Sequence, residues 1–187
     1  MSGIKVVFLG ESGVGKSSLI TRYINNKFDE SIIASVTANY VAKRIQYKGQ
    51  TYTFDIFDTP GAQNLRALTK VFMKDVKIIV LVYDITVKRT FLDLQYWLDF
   101  ILENYPDALL ILVGNRSDKS IDRAIKKSDG EKFAEVIHAE FAETSAKDDY
   151  GWNDFLDNVF INYLKMRGEG NKNDDDDDFI DDDDILI

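Results

Sequence analysis

The segment Gly10-Glu11-Ser12-Gly13-Val14-Gly15-Lys16-Ser17 constrains this chain more than any other stretch. It matches the phosphate-binding pattern G-x-x-x-x-G-K-[ST] at every fixed position. The largely apolar run Ile4–Leu9 precedes it and predicts a strand, and a helical pattern opens near Ser17. Glycines let backbone N–H groups curl around an anion, and a helix N-terminus adds the positive end of its dipole. Glu11, Ser12, Gly13, Val14, Gly15, Lys16, Ser17 and Ser18 are therefore the expected phosphate cradle. Lys16 is expected to reach the β- and γ-phosphates, and the Ser17 hydroxyl to hold Mg²⁺.

At 187 residues, 45% of them hydrophobic, the chain reads as one domain with a tail. The expected division is a globular domain over 1–167 and an acidic, disordered tail over 168–187. The net charge of −9 belongs to that tail, which holds one Lys and ten acids; 22 basic and 22 acidic residues remain outside it. No basic face is thus expected, which argues against binding nucleic acid. The absence of cysteine excludes disulfides and thiolate metal sites, and no prenyl or palmitoyl anchor is expected. Ser2 stands where myristoylation needs Gly, and the first residues show no signal-peptide apolar stretch. No apolar run approaches the ~20 residues of a membrane span. A cytoplasmic location, with recruitment to endomembranes only through protein partners, is the expectation.

Periodicity predicts a strand at 3–9, a helix at 16–25, strands at 38–47 and 51–57 around a turn at Tyr47-Lys48-Gly49-Gln50, and a helix at 66–75. It continues with a strand at 77–83, a helix at 89–104, a strand at 109–114, a helix at 128–137, a strand at 139–143 and a helix at 151–167. Phe91, Leu94, Trp97, Leu98, Ile101 and Leu102 form the expected apolar face of helix 89–104. Met73 is expected in the core, and His138, the one histidine, in a structural role. Alternation of this kind gives a three-layer α/β fold whose ligands sit at the carboxyl ends of the strands.

Phosphate loops serve several nucleotides, so the base must be decided elsewhere. Gly114-Asn115-Arg116-Ser117-Asp118 follows one predicted strand, and Glu143-Thr144-Ser145-Ala146-Lys147 follows another. With these motifs the chain resembles the Ras superfamily of small GTPases, which carry N-K-x-D and S-A-K for base recognition. The resemblance implies a P-loop NTPase fold with a mostly parallel six-stranded sheet and helices on both faces. It also implies guanine recognition by Phe28, Asn115, Arg116, Asp118, Ser145, Ala146 and Lys147, with GTP, GDP and Mg²⁺ as ligands. A carboxylate such as Asp118 accepts from the ring N–H and exocyclic amine of guanine together, a donor pair adenine lacks. Arg116 departs from the family's Lys. Leu81-Val82-Tyr83-Asp84-Ile85-Thr86 and Trp97-Leu98 look most like the Rab branch, which governs vesicle traffic.

The resemblance also implies a Mg²⁺ set of Ser17, Ser35 and Asp58. Thr37 is the alternative to Ser35 if the loop slips register. Asp58-Thr59-Pro60-Gly61 matches D-x-x-G, which makes Gly61 the expected donor to the γ-phosphate and, with Lys16, a catalytic residue. The next position is anomalous. Ala62 stands where the family has a Gln that orients the attacking water, and Gln63 lies one place further on. Slow hydrolysis is expected. Effectors and exchange factors are expected to bind through switch I, about 26–40, and switch II, about 58–75. A monomer is expected. The alternative reading is a non-cycling, nucleotide-bound module that serves protein binding; an ATP-dependent kinase is disfavoured by Asp118 and Ser145-Ala146-Lys147.

Overall fold

The computed structural model describes residues 3–30, 39–62 and 66–169. Ser35, Thr37, Gln63 and the Asp-rich segment therefore lie outside the described residues. The elements run β1 (Ile4–Leu9), α1 (Lys16–Asn25), β2 (Asn39–Tyr47), β3 (Gln50–Asp58), α2 (Arg66–Val71), β4 (Ile78–Asp84), α3 (Lys88–Leu92) and α4 (Leu94–Asn104). They continue with β5 (Leu109–Asn115), a 3-10 turn (Ser117–Asp122), α5 (Lys127–Val136), β6 (Glu140–Glu143) and α6 (Trp152–Met166).

The strands form one six-stranded sheet in the order β2-β3-β1-β4-β5-β6. Only the β2–β3 pair is antiparallel. Those two strands meet at a tight turn in which Lys48 (φ +45°) and Gly49 (φ +71°) are left-handed, the backbone that a two-residue hairpin needs. Their register runs from Tyr47 opposite Gln50 to Asn39 opposite Asp58.

β4 reads Ile-Ile-Val-Leu-Val-Tyr-Asp and is buried at every position, as a central strand covered on both faces must be. Alternate residues feed two cores. Val6, Phe8, Val80, Val82, Ile111 and Val113 meet Leu19, Trp152, Leu156 and Phe160 from α1 and α6. Val7, Leu9, Ile79, Leu81 and Leu112 meet Met73, Trp97, Ile101 and Ala134 on the other face. Phe54 stacks on Phe160 at 4.1 Å, and the Trp152 indole N–H donates to the Leu19 carbonyl at 3.0 Å. Each such large side chain contributes about 1.5–3 kcal/mol on burial.

Met73 and Trp97 are core residues, as the periodicity predicts. Three expectations need correction. The helix expected over 89–104 is two helices, interrupted at Asp93, whose N–H is shared by the Arg89 and Phe91 carbonyls and whose carboxylate takes the Arg89 side chain. Leu102 is 55% exposed, because the buried stripe of α4 is Leu94, Trp97, Leu98 and Ile101. α2 ends at Val71, not 75. His138 is exposed and left-handed (φ +53°), and its N–H bonds to the Glu135 carbonyl as α5 terminates.

Candidate nucleotide site

The loop between β1 and α1 depends on glycine at both ends. Gly10 adopts φ +142°, and a Cβ there would lie 2.2 Å from the Val82 carbonyl oxygen. Gly15 precedes α1 at φ +97°, and a Cβ would meet the Asn115 amide nitrogen at 2.2 Å. A side chain at either position would push the loop off β4 or off β5.

Lys16 opens α1 and is 5% exposed. Its ammonium donates to the carbonyls of Gly10 (2.8 Å) and Glu11 (3.0 Å). Burial pulls its pKa down to about 8, against opposing pulls from Asp58 and Glu11. Next to it the Ser17 hydroxyl donates to the Asp58 carboxylate at 2.6 Å. A hydroxyl and a carboxylate side by side are the hard oxygen donors that suit a small divalent cation. Among the described residues no group of three or more His, Cys, Asp or Glu side chains could hold a metal unaided. The pair thus fits Mg²⁺, which usually takes one or two protein ligands and completes its shell with phosphate and water oxygens.

β3 delivers Asp58 to this point, and the residues after it are strapped down. The Thr59 hydroxyl donates to the Phe8 carbonyl (2.6 Å), and the buried Thr69 hydroxyl donates to the Pro60 carbonyl (3.4 Å). Gly61 lies backbone to backbone on the loop; a Cβ would be 2.5 Å from Glu11 C and Ser12 N. Ala62 is half-buried.

At the other end, β5 presents Asn115 and the loop after β6 presents Ser145 and Ala146. The Asn115 amide donates to the Val14 carbonyl at 2.8 Å, and its oxygen accepts from the Ala146 N–H at 3.3 Å. The Ser145 hydroxyl donates to Asp118 at 2.6 Å and accepts from the Lys147 and Asp148 N–H groups, each at 3.1 Å. Arg116, left-handed at φ +70°, donates to the Gly13 carbonyl at 2.6 Å. Arg22 reaches from α1 to the carbonyls of Ala146 (2.8 Å) and Lys147 (2.7 Å).

These groups surround one cleft of about 400 Å³, within the range of small-molecule sites. Ser12, Gly13, Gly15, Lys16, Ser17, Ser18, Phe28, Gly61, Asn115, Arg116, Asp118, Ala146 and Lys147 line it, as do Asp29, Glu30, Thr59 and Lys119. Of the other expected residues, Glu11 gives its carbonyl to Lys16, Val14 is buried beneath the loop, Asp58 pairs with Ser17, and Ser145 is buried behind Asp118. Lys147 also forms an ion pair with Glu30 at 3.6 Å. Arg22, Asp29, Glu30 and Lys119 carry no local sequence signal of a role here. Thr59 sits inside D-T-P-G and was legible in principle.

The Ras family model matches residues 5–165. The chain belongs to the Ras family of small GTPases. This small GTPase is 34% identical over 154 residues to mouse (Mus musculus) Ras-related protein Rab-22A, a match spanning 82% of this chain and 79% of that protein. It is 37% identical over 161 residues to human (Homo sapiens) Ras-related protein Rab-12, spanning 84% and 64%. With Ras-related protein SEC4 of Candida albicans it shares 32% identity over 158 residues, spanning 84% and 73%. These relatives set it in the Rab branch. Small GTPases bind GTP and GDP, and a loop, a cation-compatible pair and a base-sized cleft in sequence are consistent with that ligand.

Proposed function

We propose that this small GTPase is a guanine-nucleotide switch in vesicle traffic that hydrolyses GTP slowly. The observation that carries the reading is the convergence of Lys16, Ser17, Asn115, Arg116, Asp118 and Ala146 on one cleft. In it Lys16 neutralises the β- and γ-phosphates while the loop N–H groups of residues 11–18 cradle them. Ser17 and Asp58, with Ser35 or Thr37, hold Mg²⁺, which offsets phosphate charge. Gly61 offers its N–H to the γ-phosphate. Asp118 accepts the paired guanine donors, Ser145 orients Asp118, the Ala146 N–H faces the guanine oxygen, and Phe28, Arg116 and Lys147 enclose the base.

Catalysis in such a site is positioning plus charge stabilisation by Lys16 and Gly61. The Ala62 methyl cannot orient a water molecule, so the intrinsic rate is low, and activating proteins that rely on a Gln there work poorly. Effectors and exchange factors engage residues 26–40 and 58–75, and the protein acts as a cytoplasmic monomer brought to membranes by its partners. No described helix is long and apolar enough to cross a bilayer.

The test is to purify the protein, identify its bound nucleotide by chromatography, and follow loaded GTP with Mg²⁺ in a single turnover. Co-purified guanine nucleotide with turnover well below that of an ordinary small GTPase supports the reading; an ordinary rate that Gln63→Ala abolishes would assign the water-orienting role to Gln63 instead. Ala62 also favours a second reading, a nucleotide-filled module that binds proteins without cycling. Equal partner binding by the GDP and GTP forms would select it.

A further inference from the structure

Asp84 ends β4, its side chain is 4% exposed, and the site described above does not use it. The β4–β5 register sets it opposite Asn115, so Arg116 starts beside it. Its two oxygens do different work. Oδ1 accepts from the Thr86 N–H (2.8 Å) and the Thr86 hydroxyl (2.6 Å), which fixes the turn after β4. Oδ2 pairs with Arg116 Nη1 at 3.2 Å, while Nη2 of the same guanidinium donates to the Gly13 carbonyl at 2.6 Å.

One planar group thus spans three chain segments: the end of β4, the base motif after β5, and the phosphate loop. We infer that Asp84 is a positioning residue for nucleotide retention, acting through Arg116 to hold the Gly13 carbonyl, and with it the phosphate loop, against the base motif. The inference rests on the nucleotide reading above. An Arg side chain carries large rotamer freedom, and a single carbonyl acceptor would leave much of it. A second, buried and charged acceptor fixes the fork. The fork is what Arg supplies here: two donors at fixed spacing reach a carboxylate and a carbonyl at once, whereas an ammonium is a single point charge. Asp118 still chooses the base, so this tie governs how long the nucleotide stays, not which one enters.

The experiment loads the full chain with fluorescently labelled GDP and measures its dissociation rate. Asp84→Asn keeps the shape and the Oδ1 acceptor but removes the charge; it is expected to speed dissociation roughly tenfold. Arg116→Gln is expected to do at least as much, and the double variant no more than Arg116→Gln alone, with the preference for GDP over ADP unchanged in Asp84→Asn. Dissociation from Asp84→Asn within twofold of the parent, or effects that multiply in the double variant, would overturn the inference. Should Asp84→Asn fail to fold, the salt dependence decides. The parent rate is expected to rise more steeply with ionic strength than that of Arg116→Gln, since the Arg116 side chain is 37% exposed and salt reaches it although Asp84 is buried; equal slopes would overturn the tie. A parent protein that retains no labelled GDP would overturn the nucleotide reading together with this one.

Discussion

The two ends of the cleft are built differently. At the base end, side chains are braced by neighbouring segments: Ser145 holds Asp118, Asn115 bridges Val14 to Ala146, and Arg22 secures the two carbonyls of Ala146 and Lys147. At the phosphate end, the groups that would meet a ligand are bonded to one another or to the loop itself, Lys16 to two loop carbonyls and Ser17 to Asp58. The first arrangement is preorganised, so little need be ordered on binding. The second must exchange internal partners for phosphate and metal, which makes it the responsive half. On the proposed reading, base recognition would be a property of the fold, and phosphate sensing a property of a few exchangeable contacts.

The largest effect should come from breaking the braced end at its contact with the base. Asp118→Ala removes two charge-assisted acceptors and is expected to weaken GDP binding on the order of a thousandfold and to erase the preference over ADP, as read by equilibrium titration. Lys16→Ala breaks the responsive end. It is expected to cost on the order of a hundredfold for GDP and far less for guanosine, and a similar loss with guanosine would refute the division into two ends. Restoring a water-orienting group tests the same end from the other direction. Ala62→Gln is expected to raise single-turnover GTP hydrolysis on the order of tenfold to a hundredfold without changing GDP affinity.

Lys16 gives the responsive end a pH signature. Burial favours its neutral form, so in the folded protein it titrates near 8 against 10.5 for the free side chain. Between those values the unfolded chain binds the extra proton, so this contribution to stability rises with pH across that window. Phosphate binding needs the ammonium. GDP affinity is therefore expected to fall about tenfold per unit above pH 8, with proton uptake on binding, measured by calorimetry in two buffers of different ionisation enthalpy. The smallest effect belongs to the brace: Arg22→Ala is expected to weaken GDP binding about fivefold, with no change in that pH profile.

Much of this site was legible because its parts are local in sequence. The phosphate loop, D-T-P-G, N-R-S-D and S-A-K each carry their chemistry within three to eight residues, and strand–loop–helix context fixes their place at the strand ends. Arg22 and Asp84 were not legible as parts of the site. Arg22 acts across 124 residues of chain, and Asp84 only through a neighbouring strand's exit. Their signal is tertiary proximity, which no window on the sequence contains. The same limit explains the helix expected over 89–104. Its apolar spacing is continuous, but the structure divides the segment at Asp93, and the face that periodicity extends to Leu102 runs out of core to cover it.

The hairpin of β2 and β3 carries a mechanical consequence. Nine facing residue pairs join its strands, and the last pair is Asn39 with Asp58. The backbone entering at Asn39 and the backbone leaving at Asp58 are therefore clamped side by side at one end of a stiff two-stranded beam whose other end is the Lys48-Gly49 turn. A displacement imposed on either is felt by the other without any side chain as messenger, and a slip of one residue along the beam would invert the alternation along all of β2. Asn39 and Asp58 are thus geared to one another rather than independent.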